Sequence, residues 1–429
     1  MSDVDVETTD HPAARAERCL GDLCGLVTGL RFRQGDRDAG DFVATELSTA
    51  ALEGVVDGDG EGSVDVTVGG GGRTRTDATL TSLGEFLERY SMYWPVEDTV
   101  EATCEALRSA GERVVDPDSL RVWDDADLAA AGLDPFDPET TVEWAGATDL
   151  LSGETTFLPA ELVAFRPNDD DGAGHVPSST SGAACGSSLA GALARSLYEV
   201  IERDAVMRTW YEQRVPQRLD ISAWPDLERF RERIAPAHYR LELLELDGPT
   251  DCAVVAAALV NERDREPKFR LFAGADLTLA GAVRDALHEA AEGFLQTKYR
   301  LAAGGSRDDD IDVSNAYNFE DNVRYYARPA NFDAVAHLLD GEVRSVSPRD
   351  DAAPGDAVAE LDRALDALTA TTEMTPLAVD LTPADVRDLG MYATSVYVPE
   401  LIDIALPGAP PVDHPALDDL ATRSAHPFP

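Results

Sequence analysis

A mixed α/β fold, α+β in part, is predicted for this 429-residue chain by three kinds of pattern. Apolar and polar residues alternate in Asp41-Phe-Val-Ala-Thr and Ser63-Val-Asp-Val-Thr-Val, as on a half-buried strand. Strand-like runs recur at 240–246, 252–260 and 269–275, and weaker ones near 141–145 and 156–165. Helical spacing of apolar residues marks three longer stretches, roughly 79–93, 189–213 and 281–302. Strands mixed with long helices are the signature of that class.

In chain order, residues 1–60 read as an N-terminal lead-in, polar over its first 17 positions. Residues 61–429 read as one long globular region ending in a proline-rich tail, 410–429. The glycine run Gly69 to Gly72 breaks a strand, and without further context it reads equally as a flexible hairpin turn. It does not fit a Walker A loop. In the next helix Leu80, Leu83, Phe86, Leu87 and Tyr90 form the apolar side. Asp169 to Gly174 and Ser178 to Ser188 are loop-rich, 304–313 is a charged loop, 357–370 a helix, and 391–404 a strand followed by a turn.

Net charge is −45, from 81 acidic against 36 basic residues, and only two of the basic residues are lysines, Lys268 and Lys298. The acidity is spread along a chain of ordinary apolar content, 44%, which speaks against disorder and for a surface adapted to high salt. Such a surface argues against binding DNA or anionic membranes. Five cysteines without a secretory signal, and no long apolar run, point to a reducing cytoplasm. Cys19 and Cys24 have no second pair nearby, so a zinc site is not expected.

One signature, Glu-x-x-Glu-Arg, occurs twice: Glu85-Phe-Leu-Glu88-Arg89 and Glu199-Val-Ile-Glu202-Arg203. Glu289 and Glu292 repeat the carboxylate spacing on the third long helix. Residues three apart share a helix face, so each pair can present two carboxylates to one point. An isolated copy is most often a solvated face with an internal ion pair. Here both copies follow a glycine- or serine-rich turn, where helix-start N–H groups favour phosphate, and both sit on helices with apolar opposite faces. Three such helices converging would hold Mg²⁺ together with nucleotide phosphates. The repeated loop-then-acidic-helix order also hints at an internal duplication.

These residues resemble the YcaO family. Thr81-Ser-Leu-Gly-Glu85-Phe-Leu-Glu88-Arg89-Tyr resembles its first nucleotide-binding helix. Thr180-Ser-Gly182 through Glu199-Val-Ile-Glu202-Arg203 resembles its second signature, and Glu289-Ala-Ala-Glu292 its third. His426-Pro-Phe-Pro429 resembles the proline-rich end of peptide-modifying members, so the likeness runs from about residue 60 to the end. It implies a YcaO-like ATP-binding catalytic domain over 61–429, in a stand-alone, haloarchaeal-like member. The chemistry implied is Mg-ATP-dependent O-phosphorylation of a peptide backbone amide, giving an azoline ring or, with external sulfide, a thioamide.

By motif position the resemblance implies Mg²⁺ ligands at Glu85, Glu88, Glu199, Glu202 and Glu289. It implies contacts to ATP from Arg73, Thr81, Ser82, Glu88, Arg89, Ser181, Glu199, Arg203 and Glu292, and a catalytic role for His426 and Pro429 in a tail that folds back. Arg89 and Arg203 would neutralise phosphate or orient carboxylates. The chain departs from the family where Gly-Lys-Gly is Gly70-Gly71-Gly72, where the usual Asn is Ser181 and where the usual Gln is Glu292. Arg73 or Arg75 is the candidate for the missing charge, although arginine does not simply replace lysine. Cys185 reads as a small buried thiol and His288 as structural.

No segment reads as a fused docking or sulfur-carrier domain. A peptide or protein substrate, a separate TfuA-like sulfur-delivery or substrate-docking protein, and a homodimer are the partners implied. Two other classes stay open: a nucleotide-dead binding or scaffold subunit, and ATP-dependent thiolation of a non-protein substrate such as tRNA.

Overall fold

A computed structural model describes residues 15–21, 25–34, 42–50, 52, 68–165, 174–176, 179–303, 319–347, 355–417 and 420–428. Cys24, the strand expected at 63–67, the charged loop 304–313 and Pro429 lie outside these. In chain order the elements are β1 (Val27–Gln34), β2 (Val43–Thr49), β3 (Gly69–Gly72), α1 (Arg75–Met92), β4 (Thr99–Ala102), α2 (Cys104–Ala110) and α3 (Asp125–Ala130). Then come β5 (Val142–Asp149), β6 (Thr155–Pro159), β7 (Ala183–Gly186), α4 (Leu189–Tyr211), β8 (Gln217–Asp220), α5 (Pro225–Ile234), β9 (Tyr239–Leu246), β10 (Ala253–Asn261) and β11 (Phe269–Asp276). The last are α6 (Leu279–Ala303), α7 (Phe319–Ala327), β12 (Val343–Ser345), α8 (Ala357–Leu368), β13 (Leu377–Asp380), α9 (Ala384–Asp388) and β14 (Tyr392–Tyr397).

Among the described residues the strands form three sheets, ordered β1-β2-β3, β4-β5-β13-β14-β7 with β6 on β5, and β11-β10-β9-β8-β12. The mixed α/β class is the one observed, and the expected strands at 240–246, 252–260 and 269–275 are β9, β10 and β11. β10 shows why its sequence is continuously apolar. Val254, Ala256, Ala258 and Val260 pack on the core that contains Leu197, Ile201 and Met207 of α4. The alternate residues Val255, Ala257 and Leu259 pack with Leu287, Phe294 and Leu295 of α6. A strand covered by a helix on both faces cannot alternate with polar residues.

The glycine run is neither a break nor a turn. Gly69 to Gly72 pair antiparallel with Glu46 to Val43, so part of the presumed lead-in is joined to the first acidic helix through one sheet. A Cβ on Gly70 would lie 2.3 Å from Ser82 N, and one on Gly71 2.3 Å from the Phe42 ring and 2.8 Å from Glu292 Oε2. The strand is pressed between two helices, and glycine is the residue that fits there.

Candidate active site

The three acidic helices are copies of one unit. In each, a strand ends, a capping hydroxyl follows two positions later, the helix begins at the next residue and the first glutamate comes ten residues on. The series are Gly72, Thr74, Arg75, Glu85; Gly186, Ser188, Leu189, Glu199; and Asp276, Thr278, Leu279, Glu289. The capping contact is the same each time, from the backbone N–H three residues further on. Asp77 N donates to Thr74 Oγ1 (3.1 Å), Gly191 N to Ser188 Oγ (3.2 Å) and Gly281 N to Thr278 Oγ1 (3.0 Å). The two-fold hint in the sequence is therefore a three-fold repeat. Its third copy is disguised because β11 is a full-length apolar strand and not a small-residue segment.

The units close into a ring. Strands β3, β7 and β11 are each an edge of a different sheet. α1 packs on its own β3 and on β7, α4 on β7 and on β11, and α6 on β11 and back on β3. The carboxylates follow the same cycle. Glu88 of α1 lies within electrostatic reach of Glu199 of α4, Glu202 of α4 of Glu289 of α6, and Glu292 of α6 of Glu85 of α1. Ten residues at ~1.5 Å each put this acidic belt ~15 Å from the helix starts. The helix starts, where phosphate was expected, stand that far from the belt and carry the side-chain caps Thr74 and Ser188.

The signature arginines hold carboxylates. Arg89 pairs with Glu85 at 3.1 Å, and Arg203 spans Glu199 at 2.9 Å and Glu202 at 2.8 Å. In the third unit the arginine position is Gly293, where a Cβ would lie 2.0 Å from the Phe272 ring. Glu292 is satisfied differently: Gln296 Nε2 donates to it at 3.0 Å and the Gly71 N–H also reaches it. Burial is the leading cause that raises all these carboxyls, and like-charged neighbours add to it at Glu88, Glu199, Glu289 and Glu292. Glu199 is pushed up to about 7 and Glu289, the most open of them, to about 8; Glu292 lies well above the ordinary range.

Among the described residues no three Asp, Glu, His or Cys side chains stand close enough to chelate an ion alone. The carboxylates come instead as cross-helix pairs. Mg²⁺ typically takes one or two carboxylates and completes its shell with phosphate and water, so paired donors suit a metal carried by a nucleotide. Glu88 with Glu199, and Glu202 with Glu289, are the pairs that would hold it.

Other expected residues divide. Thr81 is exposed one turn before Glu85, and Ser181 lies beside Asp403 near Arg203. Arg73 is exposed, its guanidinium 5.4 Å from the Phe230 ring. Ser82 is corrected: it is fully buried, donating to Ala78 O at 2.7 Å and packing on Gly70, so it supports the strand and does not reach a nucleotide. Its counterparts one unit on, Ser196 and Ala286, are buried in the same way.

The tail does fold back. Trp210 Nε1 donates to Ser424 O at 2.8 Å, Asn322 Nδ2 donates to Phe428 O at 3.2 Å, and the Phe428 ring lies 4.9 Å from the Arg203 guanidinium. His426, expected as catalytic, is wholly buried with Nε2 2.8 Å from Ala405 O, and burial pulls it down to about 4. Its ring anchors the tail and no reactant reaches it. His288 packs against Phe230 at 4.8 Å, and Cys185 is a buried thiol pushed up to about 12 by burial.

Sequence reasoning missed Asp285, Asp403 and Arg195. Asp285 stands one turn before Glu289 on the same helix face, a spacing that could have flagged it. Asp403 has no local signal: the fold brings it to Ser179 Oγ (3.2 Å) and within reach of Arg203 and Glu199.

The raised carboxyls set a pH dependence. Between the ordinary carboxylate range and about 8 the folded protein binds more protons than the unfolded chain, so its stability without nucleotide falls as pH rises through that window. Mg²⁺ needs these groups ionised. Mg-ATP affinity is therefore expected to rise from pH ~6 to ~8. Protons are released on binding at neutral pH, visible as a dependence of calorimetric enthalpy on buffer. Affinity flat across this range with no proton release counts against the carboxylate belt as the metal site.

Known proteins share the sequence pattern and the fold. The chain spans between 55% and 58% of the length of the curated relatives it matches. One, an uncharacterized protein in the tfuA 3′ region of Rhizobium leguminosarum bv. trifolii, is 28% identical over 266 residues, 59% of this chain and 58% of its own. Among solved structures, YcaO from Methanopyrus kandleri bound with AMPPCP and Mg²⁺ superposes with a TM-score of 0.63 at 19% identity, covering 87% of this chain and 86% of its own. A heterocyclase in complex with substrate and cofactor gives 0.75 at 17% identity, covering 97% of this chain and 57% of its own. These likenesses show the fold. The profile of the YcaO cyclodehydratases, described as ATP- and Mg²⁺-binding, matches residues 69–402, and the chain belongs to that family, whose cofactors are ATP and Mg²⁺.

Proposed function

We propose that this protein uses Mg-ATP to activate a backbone amide of a peptide or protein by O-phosphorylation, with a thioamide as product. The observation that carries the reading is the closed ring of three acidic helices with its cross-helix carboxylate pairs. When bound, Mg²⁺ neutralises phosphate charge that the carboxylates alone would repel. The chain's own residues do the rest. Arg203 holds Glu199 and Glu202 in one orientation, Arg89 holds Glu85, and Phe428 covers the Arg203 guanidinium.

In the proposed reaction, sulfide adds to the amide carbonyl and the resulting oxyanion displaces ADP from the γ-phosphorus. Inorganic phosphate then leaves with that oxygen, and a proton is lost as the C=S bond forms. A Cys, Ser or Thr side chain as nucleophile would give an azoline by the same path. The tfuA-region relative supports the thioamide and a separate TfuA-like sulfur-delivery partner. The direct test is an amide carbonyl labelled with heavy oxygen, incubated with protein, Mg-ATP and a sulfide source. Label in inorganic phosphate supports the reading; label retained in the peptide, or released to water, defeats it.

Glu292 yields a second test. It accepts from Gln296 Nε2 and the Gly71 N–H, while burial and the neighbouring Glu289 and Glu85 raise it well above the carboxylate range, at the position where the family has glutamine. Glu292→Gln is therefore expected to keep Mg-ATP hydrolysis within a few-fold of wild type. A loss as large as that of the other glutamates would show that Glu292 acts as a charged ligand.

A further inference from the structure

We propose that Arg195 is a further anion-binding residue of this site, its guanidinium directed to the phosphates of the nucleotide. The inference rests on the nucleotide reading above and asks which cation meets the triphosphate. The acidic belt supplies carboxylates from three helices, and its signature arginines are each committed to them, Arg89 to Glu85 and Arg203 to Glu199 and Glu202. A nucleotide triphosphate needs donors on the side turned away from the metal, so a cation beyond those holding the carboxylates is called for.

Arg195 lies four residues before Glu199, on the same face of α4 and one turn nearer the helix start. The three-fold repeat places Thr81 and Asp285 at the equivalent positions of α1 and α6, so these three residues form the next level of the ring. Arg195 is the cation of that level. Its side chain is exposed, and its bond to Cys185 O (2.9 Å) uses one of five N–H donors while fixing the stem to edge strand β7. The guanidinium is within electrostatic reach of Glu88 on α1 and Asp285 on α6, which places it between the helices and not on an outer face. A planar fork anchored at one nitrogen suits phosphate oxygens.

The test is calorimetric titration of Mg-ATP into wild type, Arg195→Met, Arg195→Lys and Glu202→Gln, each checked by thermal unfolding. Arg195→Met is expected to weaken Mg-ATP by about tenfold to a hundredfold, the usual effect of losing a charged hydrogen bond, without a change in melting temperature. Arg195→Lys is expected to recover a large part of that affinity. Unchanged affinity in Arg195→Met beside a loss in Glu202→Gln overturns this inference alone. So does an Arg195→Lys variant no better than Arg195→Met, or a lowered melting temperature that accounts for the loss through the tie to Cys185. If Glu202→Gln also binds normally, the nucleotide reading itself fails.

Discussion

Glu202→Gln is expected to lower Mg-ATP turnover by about a hundredfold or more, because a metal-held charge contributes several kcal/mol at ~1.4 kcal/mol per tenfold in rate. Glu202 is the best choice for this test. Of the three glutamates that pair with a signature arginine it is the least exposed, 13% against 23% for Glu199 and 30% for Glu85. It bonds Arg203 at 2.8 Å and stands opposite Glu289 across the α4–α6 junction. The amide keeps an oxygen for Arg203 and removes a buried charge from a crowd of like charges. The melting temperature should therefore hold or rise. Hydrolysis by the purified protein and a thermal melt decide the matter. Wild-type turnover in Glu202→Gln would remove the belt from the mechanism, while a collapsed melt would mean that Glu202 mainly supports the fold.

Gly182→Ala is expected to cost roughly 2–5 kcal/mol, adding the strain of a left-handed backbone to overpacking. Gly182 has φ +75°, and a Cβ there would lie 2.1 Å from Val396 O, a backbone atom that cannot swing aside. Its own carbonyl accepts from Val396 N at 2.9 Å, stitching the Thr180–Gly182 loop to β14. The same loop brings Ser179 and Ser181 to Asp403 beside Arg203, so turnover should fall with stability. Chemical denaturation checks this against Gly84→Ala, a helix-interior glycine with nothing within 4 Å, where no loss is expected. A Gly182→Ala protein as stable as wild type would mean the loop relaxes and does not define the site.

The ease of reading differed by element for physical reasons. α1, α4 and α6 announce themselves because apolar spacing and a capping hydroxyl are local, and Glu-x-x-Glu needs only one helix to be seen. The glycine strand misled for an equally local reason: four glycines carry no side-chain pattern, and their strand state comes from pairing with β2 and pressure from α1 and α6. Ser82 looked like a binding residue because it adjoins the motif, yet it points to β3. His426 was expected to be catalytic in a tail that folds back; the tail does return, but its ring is wholly buried.

Family, cofactors and the identity of the acidic helices were thus readable from residue order, since each rests on contacts within a few positions of the chain. The cyclic matching of Glu88 with Glu199, Glu202 with Glu289 and Glu292 with Glu85 was not. It depends on three sheet edges, β3, β7 and β11, each gripped by two helices far apart in sequence. Helical period sets which side chains share a face, but only long-range packing sets which faces meet.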